Sequence, residues 1–453
     1  MSQYISLGLL LAILGAKSIS LSPELTYQYK SDSEQYSTEQ SSIQDYELTI
    51  FGQYSSNKLN ISTRMGYHLI DGMKDYPSDF TRNQGLPFMT HSPGTRDNQR
   101  NYYIADMKLQ YGDSTSYFYF NKWDQHWGPG VNSLTISNNI PSFFHFGFKW
   151  ELHQNIRFEY FHGKLKSGII DTNIKYYDEV SRPFDIVRNI VAHRLEWQPR
   201  KWIIFSGSEL VTYANRSIEL AYLLPFVPFF PIQEYLGEID NVIMSGDIQF
   251  LPNNNIRMYG VLLIDEWSPP YTFNKDNRNW FGWQAGFEKK NLLLPNSSLR
   301  FEYTWTDHRI YRHRFQVNDY YSYGSPVGFW AGPHAEELYI DYNFTFRNNH
   351  INIMVSNASR GVLSDSLLID QYNRPDEEKP IYERFSEGTE RKQVILVSIH
   401  RNIIDNISLN LSYTYVDWKN FGSSFNTNRS ELIIENGNKL IKHSVGFGLR
   451  YHY

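Results

Sequence analysis

The chain has 453 residues, a formal charge of −5, 16% aromatic side chains and a mean hydropathy of −0.50. Such aromatic density excludes disorder, the near-neutral balance leaves no basic footprint for nucleic acid, and the absence of cysteine removes disulfides, thiolate metal sites and a Cys nucleophile. No apolar run reaches the roughly 18 residues of a transmembrane helix, and low hydropathy with many aromatics fits a membrane β-barrel better than a large soluble β protein, because the alternating faces of barrel strands cancel in the average.

Residues 1–20 read as a signal peptide, and 21–453 as one outer-membrane barrel domain. Ile5–Ala16 has the length of a signal h-region, and Leu14-Gly15-Ala16 or Ser18-Ile19-Ser20 offers a small-residue cleavage site. Met1–Tyr4 lacks the usual Lys or Arg.

Beyond that point the apolar period is 2. Eighteen segments are predicted as strands: 24–30, 44–54, 58–68, 102–111, 116–123, 143–152, 156–163, 191–198, 201–210, 242–250, 256–264, 281–290, 297–306, 336–347, 350–357, 391–401, 407–416 and 440–453. In 407–416, Ile407, Leu409, Leu411, Tyr413 and Tyr415 share one face, and Ser408, Asn410, Ser412 and Thr414 the other. The connections alternate between short, as at Ser55-Ser56-Asn57 or Asn348-Asn349, and long, as at 124–142, 211–241 or 307–335. That sorting predicts an antiparallel transmembrane barrel with short periplasmic turns and long extracellular loops. The second face carries Arg64, Arg157, Glu159, Arg194, Glu196, Asp247, Arg257, Glu288, Arg300, Glu302, Asp341 and Arg347. A wet lumen tolerates these charges where a dry core does not. The last strand alternates back from Tyr453 through Tyr451, Leu449, Phe447 and Val445. Its form resembles the signal read by the outer-membrane insertion machinery.

Chemistry is sparse. No nucleophile-elbow, zincin, phosphate-loop or EF-hand motif is present. His308 and His313 are interrupted by Arg309 and Arg312, against a metal role, and acidic Asp376-Glu377-Glu378 and Glu336-Glu337 read as solvated charge. No catalytic residue, metal or cofactor is expected.

Two stretches stand apart. The first, Trp123-Asp124-Gln125-His126-Trp127-Gly128-Pro129-Gly130, leaves the fifth strand for a long loop. Gly128, Pro129 and Gly130 set a rigid turn, while Trp123 and Trp127 offer flat faces for sugar stacking or for packing the loop on the wall. The second, Leu220–Pro231, is apolar, and its three prolines forbid a central strand. It is expected to fold inward or cap the lumen.

With His193–Pro199, Ser208–Val211, Glu219–Pro225, Asp240-Asn241, Asp247 and Tyr259–Asp265, these stretches resemble the Wzi family of capsule-assembly outer-membrane proteins over about residues 100–290. The resemblance implies an 18-stranded barrel that binds surface polysaccharide. Members can carry a periplasmic helical segment, and no stretch is left over for one here. Expected polysaccharide contacts are Trp123, His126, Trp127, Tyr320, Tyr321, Tyr323, Phe329 and Trp330. Arg194, Glu196, Glu209 and Asp265 are expected to tie loops to the lumen wall. The partners expected are extracellular or capsular polysaccharide, outer-membrane lipid and the insertion machinery, without nucleic acid, for a monomer in the bacterial outer membrane with its loops facing outward. The alternative is a channel or transporter for oligosaccharide or small hydrophobic solutes.

Overall fold

The computed structural model describes residues 18–32, 42–73, 79–82, 98–172, 184–267, 269–272, 279–364, 383–423, 425–426 and 431–453. Eighteen strands form one antiparallel sheet. They are β1 Ser18–Lys30, β2 Ile43–Ser55, β3 Leu59–Asp71, β4 Gln99–Gly112, β5 Tyr117–Trp123, β6 Phe143–His153, β7 Ile156–Ile170, β8 Asp185–Arg200, β9 Ile203–Ala214, β10 Asn241–Asn253, β11 Ile256–Glu266, β12 Trp280–Lys290, β13 Ser298–Thr306, β14 Ala335–Phe346, β15 Asn349–Gly361, β16 Thr389–Ile404, β17 Ile407–Lys419 and β18 Lys439–His452. Each pairs with its sequence neighbours, and β1 pairs with β18 from Glu24↔His452 to Lys30↔Gly446. The sheet is therefore closed, and closure removes the exposed edges that an open sheet must protect.

Every predicted strand is present. The largest difference is at β7 and β8, which reach Ile170 and start at Asp185, beyond the predicted 163 and 191. Their extra rungs are steadied from inside: Tyr323 N–H donates to Lys166 O at 3.0 Å. β1 begins at Ser18, with Ser18 opposite Ser55, so Ser18–Ser20 are strand residues. Residues 1–17 of the expected leader, and Asp376-Glu377-Glu378, lie outside the described residues.

The turns all lie at one end of the cylinder and the long connections at the other. Arg347 (φ 46°) and Asn348 (φ 65°) show how a turn is made. Two left-handed residues form a two-residue hairpin whose twist matches the strands. Arg347, expected in the lumen, is thus a turn residue, with its guanidinium over the exposed Phe346 ring at 5.3 Å.

The pleat sorts the side chains. Leu195, Trp197, Phe205, Ile248, Leu262, Phe301 and Leu411 face outward and are exposed. Their neighbours Arg194, Glu196, Ser206 and Asp247 point inward. The inward charges pair: Arg194 donates to Asp247 at 2.6 Å, Arg157 to Glu196 at 3.0 Å, and Glu288 accepts from Arg257 and Arg300 at 2.9 and 3.1 Å. An apolar outside around a charged inside is the arrangement of a transmembrane barrel. No helix among the described residues is long and apolar enough to cross a membrane.

Candidate functional site: a plugged lumen and a flap on the outer wall

At the loop end the lumen is filled by the loops themselves. After β5 the chain turns inward at Gly128, whose φ of +112° favours glycine. Trp127 then bridges Ile136, and Thr135 Oγ1 donates to Trp127 O at 3.1 Å. Glu302, on the lumen face of β13, accepts from Val131 N at 2.8 Å, Asn132 N at 2.9 Å and Tyr259 Oη at 2.5 Å. A Cβ added to Gly130 would run into Gln284 and Glu302, so only glycine lets the loop press this close to the wall. Glu337 gathers a second knot: it accepts from Asn132 Nδ2 at 2.8 Å, Trp330 Nε1 at 2.7 Å, Arg82 and Ser356.

The 307–334 connection supplies the other half of the plug. Asp265 accepts from Tyr311 N at 2.5 Å. Tyr311 Oη donates to Leu134 O at 2.5 Å and Tyr320 Oη to Thr135 O at 2.9 Å, stitching the two loops together. Arg188 is fully buried and donates to the carbonyls of Gln316, Val317 and Tyr321. Tyr119, Phe161, Leu210, Leu263, Ala358 and Val416, lumen-facing on different strands, share one buried cluster with Leu134, Ile136, Tyr320 and Phe329 from the loops. The larger apolar core among the described residues is thus the loop plug, since the outward rows stay exposed except where residues 215–240 cover them.

The plug relocates most of the expected glycan contacts. Trp127, Tyr320, Tyr321, Phe329 and Trp330 are at most 4% exposed. Their rings are spent on packing inside the barrel and are not displayed at the surface, a correction to the surface role read from their loop positions. Trp123 keeps partial exposure, between Arg64 at 5.1 Å and Lys108 at 4.5 Å from its ring. Tyr323 is half-buried with Lys166 5.3 Å above its ring. His126 is exposed to the lumen and donates through Nε2 to Gly130 O at 2.9 Å. It roofs a cavity of about 200 Å³ below the plug, with Arg157, Glu159, Arg194 and Glu196 among its walls. Pro129 and Gly130 are buried at the base of the turn.

The apolar Leu220–Pro231 stretch goes outward, not into the lumen. Residues 215–240 fold down over the lipid-facing side of β6–β10, and Phe229–Tyr235 forms a short helix, α1. Tyr222, Phe229 and Ile232 pack on Phe158, Tyr160, Val191, Val211 and Val242, all on outward rows. Phe226 stacks on Phe158 at 4.8 Å and Phe229 on His193 at 4.2 Å. Irregular backbone at membrane depth needs protein partners. The wall provides them: Tyr160 Oη donates to Tyr222 O at 2.9 Å, His193 Nδ1 to Pro225 O at 2.9 Å, and Glu209 accepts from Phe229 N at 2.6 Å. That last bond caps α1 with a carboxylate where unsatisfied N–H groups collect. Glu209 therefore holds this flap on the outer wall, whereas Arg194 and Glu196 join strand to strand inside. Polar residues on a lipid-facing row, odd in the sequence, are explained by the flap above them.

Between the flap and β10–β11 runs a groove of about 820 Å³. Trp267, 51% exposed, stands at its mouth beside His313 and Arg314. None of the three was singled out as a ligand contact from sequence. An aromatic at a strand end just before the Pro269-Pro270 pair was the one available signal.

Residues 265–431 match the family model for capsule assembly protein Wzi. The resemblance to the Wzi family read from the sequence holds, although the matched segment shares only 265–290 with the stretch that carried it. Wzi of Escherichia coli, an outer membrane protein involved in group 1 capsule assembly and a carbohydrate-binding β-barrel, is structurally similar at 13% identity and a TM-score of 0.57, covering 98% of this chain and 86% of that one. The shared fold is the outer-membrane β-barrel. OccK7 and OccK3 of Pseudomonas aeruginosa, each 9% identical with TM-scores of 0.49, cover 96% and 98% of this chain and 98% and 97% of theirs, and add nothing to that assignment. No curated protein matches the chain.

Proposed function

We propose that this protein is a non-enzymatic outer-membrane barrel whose outward-facing loops hold surface or capsular polysaccharide at the cell. The observation that carries the reading is the plug. Two loops cross the lumen, are stitched to each other by tyrosine hydroxyls and are anchored on wall carboxylates at Glu302, Glu337 and Asp265. A lumen obstructed in this way suits a holder of polymer better than an open diffusion channel. Carbohydrate binding by the structurally similar Wzi of Escherichia coli supports the same reading.

The contacts would lie on the loop end. Tyr323 beneath Lys166 and the 46%-exposed Phe315 beneath Arg314 pair flat ring faces with cationic donors, which suits stacking and hydrogen bonding to sugar rings. Binding would be weak per sugar and strengthened by repeats along one polymer and by copies in the membrane. Export through a leader within residues 1–20, insertion through the C-terminal strand and a monomeric state belong to the same reading. Polysaccharide co-sedimentation with proteoliposomes tests it. Native protein should retain the polymer, and Phe315→Ala with Tyr323→Ala should release most of it. Equal retention by protein-free liposomes would sink the reading.

A further inference from the structure

The groove beside the flap is amphipathic along its length. Its deeper half is lined by Pro228 and Phe230 from the flap and by Val242 and Met244 from the outward row of β10. That row continues into the membrane-facing wall at Ile248 and Phe250, exposed by 43% and 37%. Its upper half is polar: Glu234 and Glu238 face His313 and Arg314, with Trp267 at the mouth. Asp240 is fully buried, and its Oδ2 accepts from Arg216 at 2.5 Å and Tyr222 Oη at 2.7 Å. Its Oδ1 has no donor among the described residues. The carboxylate is closed off from the groove and ties its floor to the flap through Arg216 and Tyr222.

We propose that this groove binds a glycolipid, with an alkyl chain lying along Phe230, Val242 and Met244 and a hydroxyl-rich head among Glu234, Glu238 and Trp267. The apolar half opens onto lipid, so a chain enters it without crossing water. Carboxylates accept the hydroxyl donors of a sugar and disfavour a phosphate head, and an indole face stacks on a sugar ring. The site lies on the outer wall, apart from the loop-end aromatics, and stands whether or not those hold polysaccharide.

A maltoside carrying a diazirine in its alkyl chain tests this in full-length protein reconstituted into phosphatidylcholine nanodiscs. Adducts should concentrate on the peptides carrying Phe230 and Met244, at least about threefold over the outward face of β17 on the far wall. Unlabelled dodecyl maltoside should compete, and Met244→Trp, which fills the apolar half, should cut labelling at Phe230 about tenfold while the barrel keeps its heat-modifiable mobility on gels. Maltose alone should not compete, because it lacks the chain. Even labelling around the belt would overturn the proposal as ordinary lipid contact. Equal competition by dodecyltrimethylammonium would overturn it as charge recognition, and full competition by maltose as a plain sugar site.

Discussion

Single side chains decide how tightly the plug is held. Gly130 touches Gln284 and Glu302 with no room for a methyl group. Gly130→Ala should therefore push the loop off Glu302 and cost about 1–3 kcal/mol, as overpacking does. Protease cleavage within 124–142 should speed up while the barrel itself stays folded. Histidine adds a pH dependence. His334 Nδ1 donates to Val362 O at 2.8 Å while its Nε2 accepts from Phe385 N at 3.2 Å, and His313 Nδ1 accepts from Phe315 N at 3.1 Å. Both rings must stay neutral to keep an acceptor nitrogen, and burial pushes both down to about 4. Folded values below the unfolded ~6.5 mean that their contribution is complete above that pH. It drains away as pH falls toward about 4, by roughly 1.4 kcal/mol per unit for each ring. Emission from the buried Trp127 and Trp330 should red-shift across that window and recover on return to pH 7. A flat profile would mean that these histidines do not hold the plug. The Gly130 and His334 partnerships were not readable from the chain, because they join residues far apart in sequence with no local signature.

Elements differ in how far the sequence announces them. Period-2 alternation writes each strand locally, so all eighteen were legible, and the errors fell at strand ends, most at the loop side of β7 and β8 and at the start of β1. The flap was legible as an apolar, proline-broken stretch, but its side of the wall was not. Apolar residues serve equally to line a plug or to face lipid, and what placed the flap outside was His193, Glu209 and Tyr160 on outward rows, polar groups that need cover. Glu209→Ala should leave α1 without its cap at Phe229 N, and Phe229→Ala should remove a fully buried ring at about 3–5 kcal/mol. Both variants should raise proteolysis between 215 and 240 without changing the heat-modifiable mobility of the barrel, since the strands close without the flap.

At the scale of the molecule, wall and plug are separable. The wall is held by a continuous ladder of backbone hydrogen bonds, the plug by a handful of carboxylates and one buried apolar cluster. In planar bilayers the native protein should therefore carry no steady ohmic current. Replacing 128–136 by a Gly-Ser linker of equal length should open a conducting path, because it removes the Asn132 side chain held by Glu337 and the apolar side chains of Leu134 and Ile136. Open native channels would instead return the protein to the transporter reading.

By itself the sequence determined a closed wall of eighteen strands with an apolar outside, a charged inside and loops sorted by length to the two ends. A pleated strand records its two faces residue by residue, so that much needs no knowledge of distant parts. Only the tertiary structure decided where the loops go: Trp127, Tyr320, Phe329 and Trp330 into the lumen, and Leu220–Pro231 onto the outer wall. Those destinations depend on which distant carboxylate, hydroxyl or ring face is free to receive each segment, and on closure bringing residues as far apart as Val131 and Glu302 within 2.8 Å.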